Sequence, residues 1–289
     1  MSTLTLTRKA RPIRWGKVLR ETLAYIAIVI ALGVTLMPLI WLFFTSIRPL
    51  TEIATTRLIF FPRQITWDNY VAAFRTYNVL TYVINTLIVC IGTVLVNLIL
   101  GLPAAYAIAR YSFRGERSVF SLLILLRMIP LVAVMVPLFL IFSGLGLLNS
   151  YAALIMAHSA FKLPVTIWLL RAFIIDIPRE LDDSARVDGC STWGLITRIT
   201  LPLVKPGLAA TAVLAFLATW NDLLVTLILS SSIDTEMIAL GLTKFVLEYG
   251  VAWGPLTAAG VLMFVPTLVF VFVAERYLVR GLTMGAVKE

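Results

Sequence analysis

Four ionisable side chains lie in stretches that are otherwise apolar: Arg127, His158, Lys162 and Asp222. Charges in such surroundings bind or relay polar solutes and ions, or pair with one another, because an isolated one costs about 2.5 to 3.5 kcal/mol at a bilayer centre on insertion scales. A second polar concentration runs from Asp176 to Pro202 and includes Glu180, Asp182, Asp183, Asp188 and Gly189. Chemistry of most other kinds is excluded. His158 is the sole histidine and neither H-E-x-x-H nor C-x-x-C occurs, so a metal centre lacks ligands. Ser159 beside His158 makes no dyad, since adjacent helical residues point about 100° apart. No G-x-x-x-x-G-K-[ST] phosphate loop is present, and Gly16-Lys17 lacks both the upstream glycine and the following hydroxyl. The two cysteines, Cys90 and Cys190, build no disulfide framework and imply no redox role.

These residues need elements to hold them, and the composition says which kind. Of 289 residues 60% are hydrophobic and only 13% charged, with mean hydropathy +0.97. Too few charges remain to cover a water-facing surface, so the chain is an all-α integral membrane protein. Punctuation by ionisable residues gives six transmembrane helices: Ile26 to Phe44, Tyr82 to Ala109, Val119 to Phe142 containing Arg127, Tyr151 to Phe173 containing Lys162, Gly207 to Leu229 carrying Asp222, and Pro255 to Ala274. At 1.5 Å per residue, Arg127, Lys162 and Asp222 fall in the middle or outer-middle of the bilayer and should face inward. Pro103, Pro130, Pro137, Pro164 and Pro266 free backbone carbonyls, which a bilayer tolerates only beside protein or a wet cavity. Arg127 and Lys162 are therefore candidates for a polar pathway, with Asn221 and Asp222 accepting hydroxyls and Trp220 offering an aromatic face; helix-to-helix adhesion is the plainer alternative.

The net charge of +9 invites a nucleic-acid reading until the cations are located. Residues 1–21, 110–118, 171–206 and 275–289 hold 17 Lys and Arg, whereas 45–81, 143–150 and 230–254 hold five. By the positive-inside rule both termini and the loops after the second and fourth spans are cytoplasmic, and nucleic-acid binding loses its support. The organisation expected is a basic segment 1–21, a six-helix domain 22–274 that includes a cytoplasmic loop 174–206, and a tail 275–289. The first apolar run exceeds a signal-peptide h-region of about 7 to 15 residues and is expected to be retained. Segment 48–80, with Trp67 and Tyr70 among polar residues, suits a structured outer loop.

The loop 174–206 reads as helix, sharp turn, helix. Pro178 suits a first turn, Glu180, Asp182 and Asp183 complement the positive end of the helix dipole, and Gly189 suits the position after the C-cap. Ser191 or Thr192 then caps a second short helix with Trp193, Ile196 and Ile199 along one face. Leu181 and Ala185, four apart, share a face, and Ser184 and Ala185 are small enough for another surface to approach closely. Acidic residues in the first turn argue against a helix lying on anionic headgroups.

Asp183-Ser184-Ala185, Asp188-Gly189 and Ile199-Thr200-Leu201-Pro202 resemble the EAA loop of binding-protein-dependent ABC importers, with Asp for Glu and Ser for Ala. Trp67-Asp68-Asn69-Tyr70, Leu169-Leu170-Arg171, Trp220-Asn221-Asp222 and the ending Gly281 to Lys288 are similar to the MalG-like carbohydrate permeases, and the final Glu289 departs from the expected glycine. The resemblance implies a type I ABC importer permease fold in a bacterial or archaeal plasma membrane. It also implies a second homologous permease, two cytoplasmic ATPases that bind ATP and Mg, and an extracytoplasmic sugar-binding protein, with no cofactor in this chain. Glu180, Leu181, Asp183, Ser184, Ala185, Asp188 and Gly189 then become the ATPase-coupling residues, and the solute a sugar, in particular a di- or oligosaccharide. The rival is an ion-coupled secondary transporter using Asp222. Such carriers often carry repeated halves, and spans one to three show no convincing repeat in four to six.

Overall fold

The computed structural model describes residues 15–284 except 56, 58, 248 and 249, with side chains from 20 to 272. It opens with α1 (Trp15–Ser46), apolar all round and largely exposed along its length, as a helix facing lipid tails must be. The short α2 (Leu50–Ile53) and α3 (Asp68–Arg75) follow, then α4 (Val79–Arg110). The third apolar stretch is α5 (Glu116–Leu125), a 3-10 turn (Leu126–Met128) and α6 (Leu131–Gly144). Next come α7 (Tyr151–Ile175), α8 (Arg179–Val187), α9 (Thr192–Gly194), a π-helical turn (Leu195–Thr200) and α10 (Leu201–Leu203). The chain continues through α11 (Lys205–Trp220), α12 (Leu224–Leu229) and α13 (Ile238–Gly241), a 3-10 turn (Leu242–Phe245), the two-residue strands β1 (Val246–Leu247) and β2 (Gly250–Val251), and α14 (Trp253–Met284).

Among the described residues four helices are long and apolar enough to cross a membrane, and the number rises to six if each of two bent pairs is one span, Glu116–Met128 with Leu131–Gly144 and, bent by 80°, Thr192–Leu203 with Lys205–Trp220. The third span, expected over Val119 to Phe142, is a broken one. It breaks by 97° between Met128 and Leu131, because Pro130 drives Ile129 into extended backbone at ψ 119° and ends the helix there. The fifth span is corrected too: α11 stops at Trp220, residues 221–223 are non-helical, and α12 restarts at Leu224. The proposed end segments 1–21 and 275–289, and with them the location of the termini, lie largely outside the described residues.

The centre of the molecule is the α4–α7 pair. A Cβ on Gly92 would stand 2.5 Å from Ile155 and one on Gly101 2.6 Å from Thr166, so glycine lets the two helices approach closely. Gly101→Leu is expected to force α4 and α7 apart at about 1 to 3 kcal/mol, read as a lower melting temperature of the detergent-solubilised protein.

Two buried clusters divide the length of this pair. One gathers Val79, Tyr82, Phe142, Leu154, Trp220 and Ile238. The other gathers Tyr106, Ala109, Ile174, Leu195 and Val204 at the opposite end, which the cation distribution marks as cytoplasmic. At the outer end Asn69 donates to the carbonyls of Ser46 (2.9 Å) and Arg48 (2.7 Å), and Tyr70 shares a hydrogen bond with Ser46, so the outer loop is structured as expected. Asn85 donates to the carbonyls of Ile233 and Glu236, and Tyr151 donates to Asn85 Oδ1 at 2.7 Å, tying segment 230–241 to α4 and α7. Burial works against the Lys244 ammonium nearby, but hydrogen bonds with Glu236 and Tyr82 hold it above the usual lysine value.

Sidedness can be read from one thiol. Cys190 is half-buried and Cys90 fully buried. In a variant lacking Cys90, with the permease tested alone, an impermeant maleimide is expected to label Cys190 in inside-out vesicles only; labelling in right-side-out vesicles contradicts the topology.

Candidate functional site

Two arrangements of polar side chains stand out. The first lies at mid-height between α7, α11 and the break in the third span. Lys162 and His158 are one turn apart on α7, and Lys162 Nζ approaches His158 Nδ1 to 3.0 Å and Asp222 Oδ2 to 3.4 Å. Asp222 sits in the 221–223 break, where its other oxygen accepts the Val225 amide at 3.1 Å and closes the first turn of α12. The carboxylate thus neutralises a buried ammonium and satisfies backbone freed by the break. Of the two cations that sequence allows as its partner, Lys162 is the one in place.

Arg127 stands on the 3-10 turn at the 97° bend and donates to the Phe161 carbonyl at 3.0 Å. With Lys162, Thr166, Thr211 and Asp222 it lines an open cavity of about 920 Å³. The structure therefore brings Arg127, Lys162 and Asp222 to one cavity. Two expected members behave differently. Trp220 offers no face to a solute, because it is fully buried and stacks on Phe216 at 5.4 Å between centroids. Asn221 turns its amide back onto the Leu217 carbonyl at 2.8 Å and so caps the end of α11, although the residue is exposed. Apolar spacing alone does not tell a lining tryptophan from a core one. Thr166 and Thr211 were not singled out in sequence, since isolated hydroxyls are common in spans and carry no charge signal.

The second arrangement is the loop 176–204. Pro178 is the N-cap of α8. At the other end Gly189 adopts φ +80°, its amide donates to the Arg186 carbonyl at 3.0 Å and the Cys190 amide to the Ala185 carbonyl at 2.9 Å. That bond pair is a Schellman motif, which needs a left-handed residue after the C-cap. Ser191 caps α9 by accepting the Gly194 amide at 3.2 Å. The expected seam of Trp193, Ile196 and Ile199 is corrected to Leu195, Ile196 and Thr200, with Trp193 exposed. The cause is the π-helical turn, whose wider spacing displaces the i, i+3 pattern.

Around α8, Glu180, Asp183, Ser184 and Asp188 face outward, Leu181 is 44% exposed and Val187 88%. Ala185 leaves the expected face and packs against the inner cluster. The residue sequence reasoning missed is Asp182. It is 4% exposed, pairs with Arg110 Nε at 2.8 Å and accepts from the Tyr106 hydroxyl at 3.2 Å. Its only advance signal was an acidic residue on the side of a charged helix opposite its neighbours, which looks like a solvated position.

Residues 97–284 match the family described as binding-protein-dependent transport system inner membrane component. The chain belongs to that family, which makes it a multi-pass inner-membrane transport permease. It is 34% identical over 262 residues to the diacetylchitobiose uptake system permease protein DasC of Streptomyces coelicolor, covering 91% of this chain and 95% of the relative. It is 33% identical over 261 residues to the trehalose transport system permease protein SugB of Mycobacterium tuberculosis, covering 90% and 94%. A chain of a bacterial ABC transporter involved in import of the acidic polysaccharide alginate matches with TM-score 0.78 at 22% identity, over 93% of this chain and all of that one. The fold is therefore that of an ABC importer permease.

Proposed function

We propose that this chain is the membrane-spanning permease subunit of an ATP-driven importer of a di- or oligosaccharide, forming half of a path completed by a second, homologous permease. The observation that carries the reading is α8. It is a short helix held at the cytoplasmic end by buried contacts, with Leu181, Asp183, Ser184 and Val187 turned outward and Gly189 closing it. An ATPase surface docks there, and ATP and Mg are bound in that separate chain. Closure of two ATPases pushes the paired α8 helices and turns the bundle outward, where an extracytoplasmic binding protein releases its sugar. A cavity of about 920 Å³ is ample for a disaccharide, since small-molecule sites span roughly 300 to 1,000 Å³. Arg127, Lys162 and Asp222 supply donors and acceptors for its hydroxyls.

Against the ion-coupled alternative stands the same carboxylate: Asp222 is already neutralised by Lys162 at 3.4 Å. The test is to purify the chain with its genomic neighbours and screen the binding protein against maltose, trehalose, diacetylchitobiose and their monosaccharides. Co-purification of an ATPase and selective retention of one disaccharide support the reading. A permease that purifies without an ATPase and carries solute under a proton gradient contradicts it.

A further inference from the structure

We propose that Asp182 and Arg110 form a buried mechanical latch that makes α8 and α4 move as one body, so that a push on α8 reaches the far side of the molecule through α4. The inference rests on ATPase docking at α8. Arg110 is the last residue of α4, and its guanidinium bridges two parts of the loop: Nε meets Asp182 Oδ2 at 2.8 Å, and Nη2 donates to the Ile177 carbonyl at 2.9 Å. Tyr106, one turn earlier on α4, donates to the same Oδ2 at 3.2 Å. Arg179 returns the contact by donating to the Ala109 carbonyl at 3.5 Å. Entry, interior and start of α8 are thus all fixed to one turn of α4. Outside the latch, Arg186 lies over the Tyr111 ring at 5.7 Å, and Tyr111 shares a hydrogen bond with Thr192.

The Arg110 and Asp182 side chains are 4% and 6% exposed, so separating them strands two charges where water does not reach them. Apolar contacts slide; this contact resists sliding, and a load on α8 is passed on rather than absorbed. α4 is suited to receive it. Its close packing on α7 at Gly92 and Gly101 is rigid, and at its outer end Asn85 and Thr86 hold the Ile233, Glu236 and Ile238 backbone. One helix therefore links the cytoplasmic loop to the outer segment 230–241. Asp182 and Arg110 are positioning residues in this account, since neither faces the cavity.

The test uses the full complex in proteoliposomes, with trehalose as the transported probe, or diacetylchitobiose should the binding-protein screen select it. The readout is ATP hydrolysed per sugar taken up. Asp182→Asn and Arg110→Gln each strand the remaining charge and are expected to lower permease yield, but the assembled fraction, like the near-parental yield of the double variant Arg110→Gln with Asp182→Asn, is expected to retain the ATPase subunits and raise that ratio at least ten-fold. Tyr106→Phe should raise it two- to three-fold, and Asp182→Glu, which keeps the charge, should stay within three-fold of the parent. An unchanged ratio in both neutral variants overturns the latch. So does loss of the ATPase from them, which would make the pair a structural pin, or an Asp182→Glu variant as uncoupled as Asp182→Asn. Gly189→Val, measured alongside, separates the two ideas. If it releases the ATPase while Asp182→Asn changes nothing, docking at α8 stands and the latch fails; if it changes nothing, docking at α8 fails.

Discussion

Asp222→Ala and Asp222→Asn are both expected to reduce the amount of assembled permease severely, by about 3 to 5 kcal/mol of lost stability, because each leaves the Lys162 ammonium buried without its partner. Lys162 is 8% exposed, with Asp222 Oδ2 at 3.4 Å, buried His158 on one side and the cavity on the other. Removing both charges, as in Lys162→Met with Asp222→Asn, should return assembly to near the parental level. Uptake separates the roles. If the pair only joins α7 to the α11–α12 break, the double variant transports normally. If it also lines the path, assembly recovers while uptake stays at least ten-fold down, and this second outcome is the one expected from its position in the cavity. The measurements are permease yield by quantitative blotting and uptake in the reconstituted complex.

Gly189→Val carries the second large effect. The residue occupies φ +80°, and a Cβ built there meets nothing within 4 Å, so the cost is conformational rather than steric. Forcing a residue with a Cβ into left-handed backbone costs roughly 1 to 2 kcal/mol, more for a β-branched one. Since 1 to 2 kcal/mol is about a factor of 5 to 30 in an equilibrium, α8 should lose its fixed C-terminus and ATPase retention should fall by that factor. Gly189→Asn, which tolerates this region better, should fall less. The spans should remain inserted in both, as judged by protease protection. Equal ATPase retention in the valine variant and the parent would contradict docking at α8.

What the sequence disclosed follows from how strongly each feature is encoded. The six apolar stretches and the cation asymmetry are properties of many residues at once, and the apolar stretches reappear in the helices. Gly189 and Ser191 were legible because a left-handed C-cap and a helix N-cap each restrict residue type. The breaks were less so. Pro130 ends a helix and bends the chain by 97°, yet Pro103, Pro137, Pro164 and Pro266 sit inside helices that continue. A bilayer or protein neighbour can satisfy the freed carbonyls, so proline alone does not say which outcome applies. Trp220 read as a solute-facing ring because it adjoins two polar residues, but the helix ends at that point and turns it into the core. Asp182 was hidden for the opposite reason. A buried carboxylate is recognisable only once its cation is near, and Arg110 lies 72 residues away in sequence.

We propose that solute movement through this chain is driven by ATP hydrolysed in an associated subunit. The direct measurement is sugar uptake into proteoliposomes containing both permeases and the ATPase, with the loaded binding protein outside and ATP with Mg trapped inside. Predicted are uptake that requires internal ATP, stops with vanadate and is indifferent to proton and sodium ionophores. Uptake that persists without ATP and collapses with an ionophore would contradict the account and return Asp222 to the role of an ion-coupling carboxylate.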